Sequence, residues 1–345
     1  MEIVVKVPAT SANLGPGFDA LGLALSFGLE VRLRPGGADR AIGLEGDPEI
    51  PEPADNLLFR AAEAAYRAAG SPRPPLEIET VVALPLSRGL GSSAAAVVAG
   101  LVGANALLGG PLSLTRLLDL ATELEGHPDN VAPALFGGIT VSAIRSGTGA
   151  DSDADADADA DADTDTDSPA GSATAKATAT AMAMTTATDP RPRVFTARIA
   201  LHPSLCDALG LVVVIPEFRL STAAARAALP QTLPHADATF NAARAALLVA
   251  ALSSGRTDLL AEALQDRLHQ SYRAALVPGM DRVMSAGRKA GAFGVTISGA
   301  GPTLLAWCPR DRREAIGKAM ADVWEFPCEV RLAEIAPGGA EATAR

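Results

Sequence analysis

The stretch Pro85-Leu86-Ser87-Arg88-Gly89-Leu90-Gly91-Ser92-Ser93-Ala94-Ala95 runs directly into an apolar, Ala-rich segment that continues to Leu108. Few arrangements suit such a string. Glycines let backbone approach an anion closely, and a helix start offers unpaired N–H groups at the positive end of its dipole. Ser92 and Ser93 add hydroxyls at that mouth. The segment therefore predicts a phosphate-cradling loop opening a buried helix. No Gly-Lys-Ser/Thr follows, so it is not a Walker A loop. Read alone, a Gly-rich turn with a Ser cap on a core helix explains the same residues.

The chain has 345 residues, room for two domains. Aromatics make up only 4%, so aliphatic side chains must fill the core. Nine aspartates between Asp151 and Asp167 carry most of the net charge of -11. The remainder is nearly neutral and has no basic stripe, which argues against a nucleic-acid partner. Cys206, Cys308 and Cys328 lack metal or disulfide spacing, and a cytoplasmic setting follows. No secretory leader is visible, and no apolar stretch reaches the length of a membrane span.

Strands are expected at 2–7, 21–25, 29–33, 76–82, 138–143, 211–215, 294–297, 304–307 and 328–332. Helices are expected at 55–69, 91–108, 114–125, 221–229, 236–254, 258–265, 280–290 and 312–323. Alternating strands and helices in the second half indicate an α+β layer structure. Residues 147–193, first Asp-rich and then Ala/Thr-rich, read as a disordered low-complexity insert. It would separate a first domain, 1–146, from a second, 194–345.

Two further strings accompany the Gly-Ser loop. One is Pro8-Ala9-Thr10-Ser11-Ala12-Asn13-Leu14-Gly15-Pro16-Gly17-Phe18-Asp19. The other is Gly294-Val295-Thr296-Ile297-Ser298-Gly299-Ala300-Gly301-Pro302-Thr303. In this order the three resemble the signatures of the GHMP kinases. Glu125-Gly126-His127-Pro128-Asp129-Asn130, Leu220-Ser221-Thr222 with Arg226, and Asp266 with His269, Tyr272 and Arg273 resemble the homoserine kinase branch. The resemblance covers the chain apart from the insert.

That resemblance implies a GHMP kinase fold. An N-terminal domain like ribosomal protein S5 domain 2 would bind ATP through residues 85–95, and a ferredoxin-like C-terminal domain would follow. It implies transfer of a phosphoryl group from ATP to L-homoserine in threonine biosynthesis. A GHMP kinase for another small alcohol, or a silent nucleotide-binding relative, is the alternative. Arg226 and Arg273 would fork the substrate carboxylate. Asp19 or Asp129 would take its ammonium, and Asn13 and Asp129 would aim its hydroxyl. Gly299 would line the substrate pocket.

Mg2+ would sit on Ser93 and Glu123, with Glu125 as the alternative ligand. Where several relatives carry an aspartate, this chain has Asn130, an amide that cannot act as a base. Catalysis by Asn13, Asp19, Asp129 and Asn130 would then rest on positioning and charge. Lys6 would touch phosphate or merely edge a strand. The resemblance leaves room for a homodimer.

Overall fold

The computed structural model describes residues 1–43, 52–145 and 193–345. The low-complexity insert therefore lies outside the described residues, apart from Arg193.

The first layer is a seven-stranded sheet. It holds β1 (Ile3–Ala12), β2 (Leu21–Pro35), β3 (Arg40–Ile42), β4 (Leu76–Val82), β5 (Ile139–Ile144), β6 (Val194–Arg198) and β11 (Glu341–Ala344). Four helices accompany it: α1 (Leu57–Ala68), α2 (Ser92–Leu107), α3 (Leu114–Glu125) and α4 (Pro128–Phe136).

The remaining elements are α5 (Pro203–Ala208), β7 (Leu209–Pro216), α6 (Thr222–Ala227), α7 (His235–Ser254), α8 (Leu260–Ala263) and α9 (Gln270–Arg273). After them come α10 (Met280–Lys289), β8 (Gly294–Ile297), β9 (Leu304–Pro309), α11 (Arg313–Asp322) and β10 (Cys328–Ala333). Their antiparallel sheet runs β10-β7-β9-β8 with α10 and α11 on one face, a ferredoxin-like order.

The sheets do not divide at residue 194. β6 pairs with β5, and β11 pairs with β1, so the chain returns to the first sheet at its end. Strand pairing therefore crosses the expected limit at residue 194. Strand pairing across the sequence gap gave no local signal for this return.

α2 is apolar all round because it is central. Gly100 abuts the Leu58 carbonyl of α1, where a Cβ would fall 2.4 Å away, and Gly103 abuts Leu33 of β2. β7 is buried on both faces. Leu211, Val213 and Ile215 join the core shared with the first sheet, while Val212 and Val214 face Val283, Ile316 and Met320. Each such fully buried aliphatic side chain contributes about 1.5–3 kcal/mol.

β2 is one strand where two were expected. Gly28 crosses β1 so closely that a Cβ would lie 2.0 Å from the Val7 carbonyl oxygen, so the chain passes without turning. β3, β6, β11 and the short helices α5 and α9 were not anticipated, since they are too brief to show a period.

Asp39, just before β3, accepts from both Arg73 terminal nitrogens at 2.7 and 2.6 Å and from the Leu76 N–H. Arg73 holds its carboxyl below the usual carboxylate range. A depressed carboxylate stabilises the fold above its unfolded pKa, and the gain is lost as pH falls through the lower folded value. The melting-temperature deficit of Asp39→Asn should therefore be full at neutral pH and close below about pH 4. A deficit that persists unchanged in acid would contradict this.

Candidate active site

The phosphate loop is clamped from three sides. Thr10 of β1 donates its N–H to the Leu90 carbonyl at 3.1 Å. Leu220 donates to the Ser87 carbonyl at 3.1 Å, and Thr303 donates to the Arg88 carbonyl at 3.3 Å. Ser298 Oγ lies 2.6 Å from the Gly89 carbonyl, to which it donates, and 2.8 Å from Ser11 Oγ. Gly89 has φ +77°, and a Cβ there would meet the Ser298 carbonyl oxygen at 2.3 Å. Gly91, at φ +64°, caps α2 with no side-chain hydrogen bond. The first-turn N–H groups of α2 thus stand without a side-chain cap at the mouth of a cavity of about 360 Å³.

Ser87, Gly89, Gly91, Ser92 and Ser93 line that cavity. The other predicted loop residues do not. Leu86 is exposed, and the Arg88 guanidinium donates to the Pro216 carbonyl. Leu90, Ala94 and Ala95 are buried in the core, and Pro85 is half-buried outside the cavity lining.

The opposite wall comes from the loop after β1. Asn13, Leu14 and Asp19 have φ of +69°, +48° and +56°, a left-handed cluster of non-glycine residues that marks stored strain. Asn13 fixes it: its Nδ2 donates to the Gly299 carbonyl at 2.8 Å, and its Oδ1 accepts from the Asp19 N–H at 3.0 Å. Asp19 faces Arg226 of α6 in a two-pronged pair at 2.8 and 3.0 Å that bridges the first sheet's loop to the second layer. Both side chains keep more than a third of their surface exposed.

Arg273 is buried, donating to the carbonyls of Gly299 and Ala225. The Arg226 and Arg273 guanidinium carbons stand 5.6 and 5.3 Å from the Phe18 ring centre. His269 steadies Arg273. Its Nε2 donates to the Gly15 carbonyl at 2.8 Å, which leaves Nδ1 to accept from Arg273 at 3.2 Å. Burial holds this imidazole below its ordinary pKa, in keeping with that neutral tautomer.

The third wall is the α3–α4 turn. Gly126 ends α3 in the left-handed conformation, and Pro128 starts α4. Pro133 has no N–H for the Asp129 carbonyl four residues earlier. That oxygen instead packs against Gly22 of β2, where a Cβ would fall 1.7 Å away. The helix was missed in the sequence because Pro133 reads as a breaker.

Asp129 accepts from His127 Nδ1 at 2.6 Å, and Asn130 Nδ2 lies 3.4 Å from the same oxygen. Burial would lower the His127 pKa, but the hydrogen bond and charge of Asp129 outweigh it and leave it raised. Glu125 accepts from Ser93 Oγ at 2.8 Å. Burial pushes its carboxyl above the usual range, and the Ser93 bond only partly offsets that.

Asn13, Asp19, Asp129, Asn130, Arg226, Arg273 and Gly299 thus meet around one cavity with the phosphate loop. Glu123 does not. Its carboxylate pairs with Arg193 at 2.9 Å, in a separate depression beside Asp119 and Thr122. Residues two apart on a helix are turned by about 200°, so α3 can present only one of Glu123 and Glu125 to the cleft. Of the two acids, it is Glu125 that faces the cleft beside Ser93, while Glu123 faces away from it. Lys6 pairs with Glu30 along a different groove. His127 and Thr222 also line the cavity. Both stood inside the matched strings, which was the signal available for them.

A carboxylate and a hydroxyl side by side at an uncapped helix start, with no cation paired to the acid among the described residues, suit a hard divalent ion. No helix among the described residues is long and apolar enough to cross a membrane.

Two family models match the chain, the GHMP kinases N terminal domain at residues 56–138 and the GHMP kinases C terminal at 248–325. A homoserine kinase of a Synechococcus species is 44% identical over 329 residues, covering 94% of this chain and 92% of that one. A homoserine kinase of Moorella thermoacetica is 41% identical over 97% of both chains. Among solved structures, the homoserine kinase of Cytophaga hutchinsonii superposes with a TM-score of 0.77 at 27% identity, over 99% of this chain and 97% of that chain. Phosphomevalonate kinase of Streptococcus pneumoniae shares the fold at TM-score 0.61 and 12% identity, over 96% and 98%.

Proposed function

The chain belongs to the homoserine kinases of the GHMP kinase family, and from that premise we propose that it transfers the γ-phosphoryl group of ATP to the side-chain hydroxyl of L-homoserine. The product, O-phospho-L-homoserine, feeds threonine synthesis. One observation carries the reading: the Asp19–Arg226 pair and the Gly-Ser mouth of α2 open into the same cavity.

The phosphate tail of ATP lies at the start of α2, where the N–H groups and Ser92 meet its charge. The amino acid replaces each member of the ion pair for the other: its ammonium goes to Asp19 and its carboxylate to Arg226. Arg273, already committed to two carbonyls, contributes mainly charge and shape to that subsite. Ser93 and Glu125 are the residues that would hold Mg2+, and a bound Mg2+ neutralises charge developing on the phosphates.

The hydroxyl oxygen forms the new P–O bond, the bond to the β,γ-bridging oxygen breaks, and the hydroxyl proton leaves to phosphate or solvent. Asn130 accepts no proton, and one oxygen of Asp129 is engaged by His127, so orientation carries the step. Asn13 acts by holding the Asp19 loop against Gly299, since both ends of its amide are engaged. An enzyme consuming ATP and a free amino acid works in the cytoplasm, where both are supplied.

An ADP-release assay over L-homoserine, mevalonate, galactose and shikimate should show turnover with L-homoserine alone. Turnover of a different alcohol with none on homoserine would reassign the substrate, and no Mg-ATP binding at all would remove the kinase reading.

A further inference from the structure

Thr10 does not itself line the cavity, yet it is fully buried directly behind its wall. Its Oγ1 donates to Asn130 Oδ1 at 2.8 Å. Its N–H ties β1 to the phosphate loop at the Leu90 carbonyl. The register of β1 against β2 shifts between Pro8 and Thr10, so an irregularity in the strand sets where this side chain points. Against it lies Gly91, the residue that starts α2. A Cβ on Gly91 would fall 1.9 Å from Thr10 Oγ1 and 2.9 Å from Asn130 Oδ1. The Thr–Asn bond therefore occupies the space a side chain at position 91 would need.

An amide has one acceptor end and one donor end. The Oδ1 end accepts from the Thr10 hydroxyl while the Nδ2 end lies 3.4 Å from Asp129 Oδ1, a carboxylate oxygen that can only accept, so these two partners together set the orientation of an amide that lines the cavity. Resting on the phosphoryl-transfer reading above, we infer that Thr10 is a positioning residue for the reaction. Together with Asp129 it fixes Asn130 as a hydrogen-bond donor toward the oxygens that meet during transfer, and it couples that donor to the phosphate loop. A free amide could present either end, and the wrong end would set an oxygen lone pair against the phosphoryl oxygens.

The test is a double-mutant cycle. Thr10→Val keeps the shape and removes the hydroxyl, and it should lower kcat by about ten- to a hundredfold with little change in KM for homoserine. Thr10→Ser, which restores the donor, should recover most of that loss. Added to Asn130→Ala, Thr10→Val should cost almost nothing more, because the residue it acts through is gone. Melting temperature and Mg-ATP affinity should stay near the parent values.

An equal loss from Thr10→Val in both backgrounds, or no loss in the parent, overturns the inference. If Thr10→Val fails to fold, Thr10→Ala completes the same cycle. Absence of homoserine turnover by the parent protein is a separate outcome. It strikes the substrate assignment, and the cycle can then be run with whichever alcohol is accepted.

Discussion

Glu125→Gln is expected to lower kcat/KM for Mg-ATP-dependent phosphorylation by about a hundred- to a thousandfold, while Glu123→Gln stays within about twofold of the parent. Two residues of one helix are thus predicted to differ by orders of magnitude. Glu125 sits at the cavity beside Ser93, its carboxyl raised by burial and without a cationic partner among the described residues. A carboxylate there can ligate a hard cation with a full negative charge, which the neutral amide cannot supply. A loss of several kcal/mol in transition-state stabilisation corresponds to the expected factor.

Glu123 meets only the half-exposed Arg193, an ion pair of the kind worth ~0–1 kcal/mol. Steady-state kinetics at varied Mg2+ would separate the two. The larger loss in Glu123→Gln would show that the metal sits elsewhere.

The second large effect concerns the amino-acid subsite. Arg226→Ala should raise KM for homoserine by about a hundredfold, roughly 2.7 kcal/mol, with Mg-ATP affinity unchanged. Arg226→Lys should recover only part of this, since an ammonium cannot reproduce the two-pronged geometry now spent on Asp19. In the proposed binding mode the pair opens as substrate enters, each member being held in place by the other until the zwitterion separates them. Isothermal titration with homoserine and a non-hydrolysable ATP analogue would read the subsite directly. Unchanged affinity in Arg226→Ala would mean that the carboxylate lies elsewhere.

The three matched strings were legible because each is contiguous: two supply a wall of the site and the third closes on both. Residues 8–19 give the acceptor loop, 85–95 the helix mouth, and 294–303 the loop that closes on both. Long elements such as α2, α7 and β7 were also legible, because an unbroken apolar or periodic run has only one way to be buried. α4 was not, because its fold depends on a carbonyl that Pro133 leaves open and Gly22 receives. The pairing of β6 and β11 with the first sheet was not legible either, because their partners lie far off in sequence.

By itself, then, the order of residues determined the chemistry available: a Gly-Ser helix start, paired arginines, and acids around an amide where a base could stand. Only the packing of α3 against α2 decided that Glu125 and not Glu123 meets Ser93. Only the crossing of β1 beneath the phosphate loop brought Thr10 to Asn130. A local string fixes which groups a segment carries. Which of its faces looks inward depends on neighbours brought from elsewhere in the chain.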